Sequence, residues 1–62
     1  MALTLKAARV NAGMTQIQAA KKLGVSNQTL GRWEKDPKQV TLEMILKMCE
    51  LYRIDLESLF LK

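Results

Sequence analysis

The sequence predicts an all-α fold, a compact bundle of five short helices in a single domain spanning residues 1–62. Three observations predict it. Small polar residues and glycines recur where helix caps would fall, and apolar residues return every three or four positions. No stretch alternates apolar and polar residues with the period of a strand. Length agrees, because 62 residues make one domain and a chain of that size buries only about 60% of the surface its unfolded form exposes. Cys49 is the one cysteine and histidine is absent. Neither a disulfide nor a zinc site is therefore expected to reinforce so small a core, and no metal or cofactor is expected at all.

The first helix is expected from about Leu5 to Ala12, with Thr4 as its N-cap and Gly13 just past its end. The second begins after Thr15. Thr15 and Gln18 have the spacing of a capping box, in which the threonine hydroxyl accepts from the amide of Gln18 and the Gln18 side chain accepts from that of Thr15. This helix ends at Leu23, with Gly24 following. Ser26 caps the third, which runs to about Lys35 and is stopped by Asp36-Pro37. Thr41 caps the fourth, about Leu42 to Tyr52, and Asp55 caps a last turn or two from Leu56 to Leu61.

At about 100° per residue each helix has an inner face. The first buries Leu5, Ala8, Arg9 and Ala12; the second, Ala19, Ala20 and Leu23; the third, Thr29, Leu30 and Trp33. On the fourth the inner stripe reads Leu42, Ile45, Leu46, Cys49 and Tyr52, continued by Ile54, Leu56, Leu59 and Phe60. Cys49 is thereby a small buried apolar residue rather than a reactive thiol.

Three features go beyond packing. The outer face of the third helix gathers Asn27, Gln28, Gly31, Arg32 and Lys35 within an arc of about 140°, without an acid. A solvated face would mix Glu with Lys and avoid glycine, which costs about 1 kcal/mol relative to alanine in a helix. Amides and guanidinium are the groups that pair bidentately with adenine and guanine edges in a major groove, and Gly31 would let the backbone approach the groove floor. The second and third helices are joined by Gly24-Val25-Ser26 alone, with small Ala20 where they would touch. That is the spacing of a helix-turn-helix, although an ordinary corner between two helices has the same length. Finally, Arg9 falls on a buried stripe and needs an acid, since an unpaired buried charge costs several kcal/mol. Glu34 is the expected partner, in an ion pair tying the first helix to the third.

Charge points the same way. The net charge is +4, but residues 1–39 carry +5 and residues 40–62 carry −1, so a polyanion is expected to approach the first part.

The stretch TQIQAAKKLGVSNQTLGRWE, Thr15 to Glu34, resembles the helix-turn-helix of the lambda-repressor and Cro-type, or XRE-like, DNA-binding family. The resemblance extends to Arg9, to Gly13-Met14-Thr15-Gln16 and to LEMILKMCELYRIDLESLF from Leu42 to Phe60, and so covers nearly the whole chain. It implies a lambda-repressor-like five-helix fold with the third helix as the reading helix. By position it assigns Asn27, Gln28 and Arg32, with Gly31 among them, to base edges. It assigns Gln16, Lys35, Lys38 and Gln39 to phosphates, together with Ser26 where the third helix begins. Two positions depart from the family pattern: Asp36-Pro37 where relatives commonly carry glycine, and Arg53 where a glycine usually ends the fourth helix.

The function expected on these grounds is sequence-specific binding of double-stranded DNA by a transcriptional regulator, of the phage or prophage repressor or Cro-like kind. A homodimer on a palindromic operator is expected, with Met44, Met48, Leu51 and Leu61 as the pairing surface. The competing reading is a protein-interaction module on the same scaffold, an antitoxin or adaptor. It would require apolar or aromatic anchors on the third helix, where the sequence has Asn27, Gln28 and Arg32. An enzyme is not expected, because there is no histidine, no paired nucleophile and base, and no phosphate loop. No small-molecule substrate is expected either. No apolar run reaches the 18 or more residues of a membrane span and the N-terminus lacks a signal-peptide pattern, so no membrane partner is expected. The expected location is the cytoplasm of a bacterial cell or phage-infected host, at the nucleoid.

Overall fold

Local cap chemistry fixes most boundaries in the computed structural model, which describes residues 3–59. Helices α1 (Leu5–Asn11), α2 (Gln16–Leu23), α3 (Asn27–Lys35) and α4 (Leu42–Tyr52) follow in order, with 3-10 turns at Pro37–Gln39 and Leu56–Ser58. Each α-helix starts on a hydroxyl residue whose side chain accepts an amide three residues on: Thr4 from Ala7, Thr15 from Gln18, Ser26 from Thr29 and Thr41 from Met44. The Thr15–Gln18 capping box is closed in both directions, at 2.9 and 3.1 Å.

The C-termini need the left-handed region. Gly24 supplies it after α2 with φ +76°, and the amides of Gly24 and Val25 donate to the carbonyls of Lys21 and Ala20 in a Schellman arrangement. Arg53 does the same after α4 at φ 57°, ψ 50°, and Ile54 N–H closes the turn on Cys49 O at 3.0 Å. A side chain that a glycine would spare is thus held in a conformation disfavoured by about 1–2 kcal/mol.

The core is one cluster, built from Leu5 and Ala8 of α1, Ala19, Ala20 and Leu23 of α2, Leu30 of α3 and Ile45, Met48, Cys49 and Tyr52 of α4. Val40 and Leu59 complete it from the connecting segments. Helix α2 packs on both α3 and α4, and α4 also receives α1. Val25 fills the α2–α3 corner from the edge of the cluster. The amide of Leu3 donates to the Ser58 carbonyl at 2.6 Å, and Leu3 forms an isolated parallel bridge with Leu59. These contacts join the two ends of the described chain. Among the described residues no helix is long and apolar enough to cross a membrane.

Two expectations are corrected. The fifth helix is only a 3-10 turn among the described residues: the Asp55 side chain caps nothing, and Leu59 turns extended to bridge Leu3. Phe60 and Leu61 lie outside the described residues. The roll of α4 also differs from the expected one. Met48 is fully buried and so contributes nothing to a pairing surface, whereas Leu42 and Leu46 are 63% and 50% exposed, and Leu56 is exposed as well. Leu42/Ile45/Leu46/Cys49 and Ile45/Met48/Cys49/Tyr52 have identical spacing, so periodicity cannot separate them. Seating α4 against α1 and α2 together selects the second, and the unbranched Met48 side chain adapts to that seam.

Candidate nucleic-acid interface

Arg9 organises this face of the molecule. It is the buried cation of α1, 6% exposed, and its Nε donates to Glu34 Oε2 at 2.7 Å. A second donor, Nη2, reaches Glu34 Oε1 at 3.4 Å, and Nη1 reaches the Met14 carbonyl at 2.9 Å in the α1–α2 connection. One guanidinium therefore joins α1, the chain leading into α2, and α3. The fork geometry suits arginine and could not be reproduced by lysine. Glu34 Oε1 also accepts from Gln16 Nε2 at 3.3 Å, so the first residue of α2 is secured to the same carboxylate. Tyr52 of α4 sits within the field of this pair. Its burial foremost, and then the Glu34 charge, push its phenol up to about 12 against the opposing influence of Arg9.

Around this network lies an open concavity of about 1000 Å³. Gln16 at the start of α2 and Asn27, Gln28, Gly31, Arg32 and Lys35 of α3 all line it. The side chains of Asn27, Gln28, Arg32 and Lys35 are exposed, so the arc drawn from the sequence is a real outward face. Among the described residues Glu34 is the only acid in the lining and is matched by Arg9, so Lys6, Arg32 and Lys35 make the concavity cationic. Lys6 lies outside the α3 arc and the family motif that mark the other residues in the sequence. Its position three residues before Arg9, on the same side of α1, is the signal that could have found it.

The remaining residues expected to bind phosphate stand apart. Lys38 and Gln39 are exposed on the 3-10 turn outside the concavity. The Gln39 amide donates to Asp36 Oδ2 at 3.1 Å, which occupies the carboxylate that departs from the family pattern. Ser26 spends its hydroxyl at home, accepting from the Thr29 amide and donating to Thr29 Oγ1 at 2.8 Å. Met44 and Leu51 are half-buried against the core. Helices α2 and α3 begin at Gln16 and Asn27, both in the lining. Thr15 and Ser26 take the amides of Gln18 and Thr29, and first-turn donors left over at a positive dipole end suit phosphate.

Comparison with known proteins identifies the scaffold. A helix-turn-helix family model matches residues 5–59, from the first residue of α1 to the Leu59 bridge. The chain belongs to the lambda-repressor and Cro-type, XRE-like, helix-turn-helix family. It is similar to the HTH-type transcriptional regulator ImmR of Bacillus subtilis (strain 168), with 38% identity over 55 residues. That match takes in 89% of this chain and 43% of the relative, so the chain spans less than half the length of that regulator. No solved structure matches it. In this helix-turn-helix chain α2 and α3 are the motif's two helices and Gly24-Val25-Ser26 its turn.

Proposed function

We infer that the chain binds double-stranded DNA sequence-specifically, with α3 in the major groove, as the DNA-binding part of a transcriptional regulator. One observation carries this reading: the exposed, acid-free face of α3 and the start of α2 share one cationic concavity. In this reading Asn27, Gln28 and Arg32 contact base edges. Gln16, Lys35, Lys38, Gln39 and the amides beside Ser26 hold phosphates, which set register and supply most of the salt-dependent affinity. Lys6 joins that set from α1.

One domain of this size reads few base pairs, so the working form is a homodimer on a palindromic operator, with half-sites about 34 Å apart. Membership of the lambda-repressor and Cro-type family supports a repressor of phage or prophage type. With Met48 buried, the pairing surface draws on Met44 and Leu51 and on the exposed Leu42 and Leu46 of α4. The contrary reading, a protein-interaction module, is disfavoured by the concavity itself. Among the described residues, the large exposed apolar residues Val10, Ile17, Leu42, Leu46 and Leu56 all lie outside its lining.

Selection of bound duplexes from a randomised pool, followed by sequencing, tests the proposal. Recovery of an inverted repeat with half-sites one helical turn apart is the expected result. A pool that remains unenriched, while the folded protein captures a polypeptide partner, would overturn it.

A further inference from the structure

Glycine in the middle of α3 calls for a reason, and the structure offers a different one from close approach to a groove. A Cβ built on Gly31 would lie 3.2 Å from Gln16 Nε2, 3.5 Å from its Oε1 and 3.6 Å from its Cδ. The Gln16 carboxamide therefore lies across α3 at the one residue without a side chain. Its Nε2 is the atom closest to Gly31 and also the atom that donates to Glu34 Oε1, at 3.3 Å. Glu34 cannot follow if that amide moves, because Arg9 holds it at 2.7 Å.

We propose that Gly31 is a positioning residue that acts through Gln16, keeping open the space in which the Arg9–Glu34 pair orients the Gln16 amide toward the DNA backbone. The proposal rests on the DNA-binding reading and adds to it how the start of α2 is aimed. A methyl group at residue 31 makes a contact tighter than ordinary van der Waals packing, so Gln16 must shift by a few tenths of an ångström. That suffices to break a hydrogen bond already near the outer limit of useful geometry. With its anchor lost, the amide becomes one more mobile surface side chain. The backbone of α3 itself has no reason to move, since alanine favours a helix more than glycine does.

The test compares Gly31→Ala, Gln16→Ala and the double variant, using a duplex recovered by the selection described above. Gly31→Ala is expected to hold its unfolding temperature within about 5 °C of the wild type. It should nevertheless bind the duplex about tenfold more weakly, the equivalent of one lost hydrogen bond to a charged group. Gln16→Ala should lose a similar factor, and Gly31→Ala should cost nothing more when added to Gln16→Ala. An equal further loss in that background would instead mean that the methyl group obstructs the groove directly, and would overturn the proposal. So would unchanged binding by Gly31→Ala.

A second measurement needs no DNA. The side-chain NH2 resonances of Gln16, assigned by their disappearance in Gln16→Ala, should shift in Gly31→Ala and in Glu34→Gln toward those of a solvated glutamine. If wild-type protein binds no duplex, the DNA-binding reading fails while these resonances still decide whether Gly31 positions Gln16. Resonances that stay unmoved in Gly31→Ala refute the positioning role whatever the protein binds.

Discussion

Replacing Arg9 with methionine removes three donors at once and leaves a carboxylate behind. The Glu34 side chain is only 5% exposed, so without Arg9 the Gln16 amide is its one side-chain partner among the described residues. Breaking one side of a buried ion pair typically costs about 3–5 kcal/mol. A domain of 62 residues has a total stability of about 3–9 kcal/mol, at about 0.05–0.15 kcal/mol per residue. Arg9→Met should therefore consume a large share of the stability and lower the urea midpoint sharply. Trp33 is the only tryptophan and packs at the edge of the core, so its fluorescence reports the transition. The penalty belongs to the stranded charge rather than to the missing attraction, so removing both charges should relieve it. Arg9→Met/Glu34→Met is expected to recover about 2 kcal/mol or more relative to Arg9→Met, because well-packed apolar replacements of a buried pair are often neutral or stabilising. The Met14 carbonyl loses its donor in both variants, so that cost cancels in the comparison. Equal instability of the single and double variants would refute the reasoning. Even if it folds well, the double variant should bind DNA poorly, since nothing then aims Gln16.

Arg32→Ala should cost about 1–3 kcal/mol on the selected operator and relax preference at one base, whereas Lys38→Ala should weaken binding to all sequences and lower the salt slope by about one unit. Equal losses for Arg32→Ala on operator and random DNA would falsify its base-reading role. Arg53→Gly should raise stability by about 1 kcal/mol, by removing a side chain from a left-handed residue; an unchanged urea midpoint would show that the strain is absent. Tyr52 is the only tyrosine, so phenolate absorbance isolates its ionisation. The folded protein should titrate near 12 and the unfolded chain near 10. The unfolded state then releases its proton first, so this residue's contribution to stability is complete below pH 10 and declines as pH rises toward 12. A midpoint near 10 in folded protein would contradict the burial. Among the described residues the Tyr52 hydroxyl has no hydrogen-bond partner, so Tyr52→Phe should leave stability unchanged or raise it.

What the sequence made legible was mostly local. Thr4, Thr15, Ser26 and Thr41 announce helix starts because a cap is chemistry between residues three apart, and Gly24 announces an end because a positive φ has few candidates. The Arg9–Glu34 distance of 2.7 Å joins residues far apart in the chain. That partnership could still be anticipated, because a buried cation leaves few alternatives. The roll of α4 could not be, since two apolar stripes satisfied the same periodicity and only tertiary packing chose between them. The burial of Leu59 follows from its place on the inner stripe, but its bridge to Leu3 does not, since it lies between opposite ends of the described chain.

The candidate site divides along the same line. Membership of the α3 face follows from helical geometry, so Asn27, Gln28, Gly31, Arg32 and Lys35 could be drawn as one arc in advance. Their relation to Gln16 and Lys6 depends on how three helices meet, which no single-helix projection contains. Glu34 is where the two kinds of information converge. It offers one oxygen to α1 and shares the other between α1 and α2, so the contact that compensates a buried charge also holds the start of α2 against the face of α3. Stability and recognition are thereby coupled through one carboxylate. Glu34→Gln is more informative than a truncation for that reason: it keeps the shape and removes the charge, so a variant that folds but misplaces Gln16 would separate the two roles.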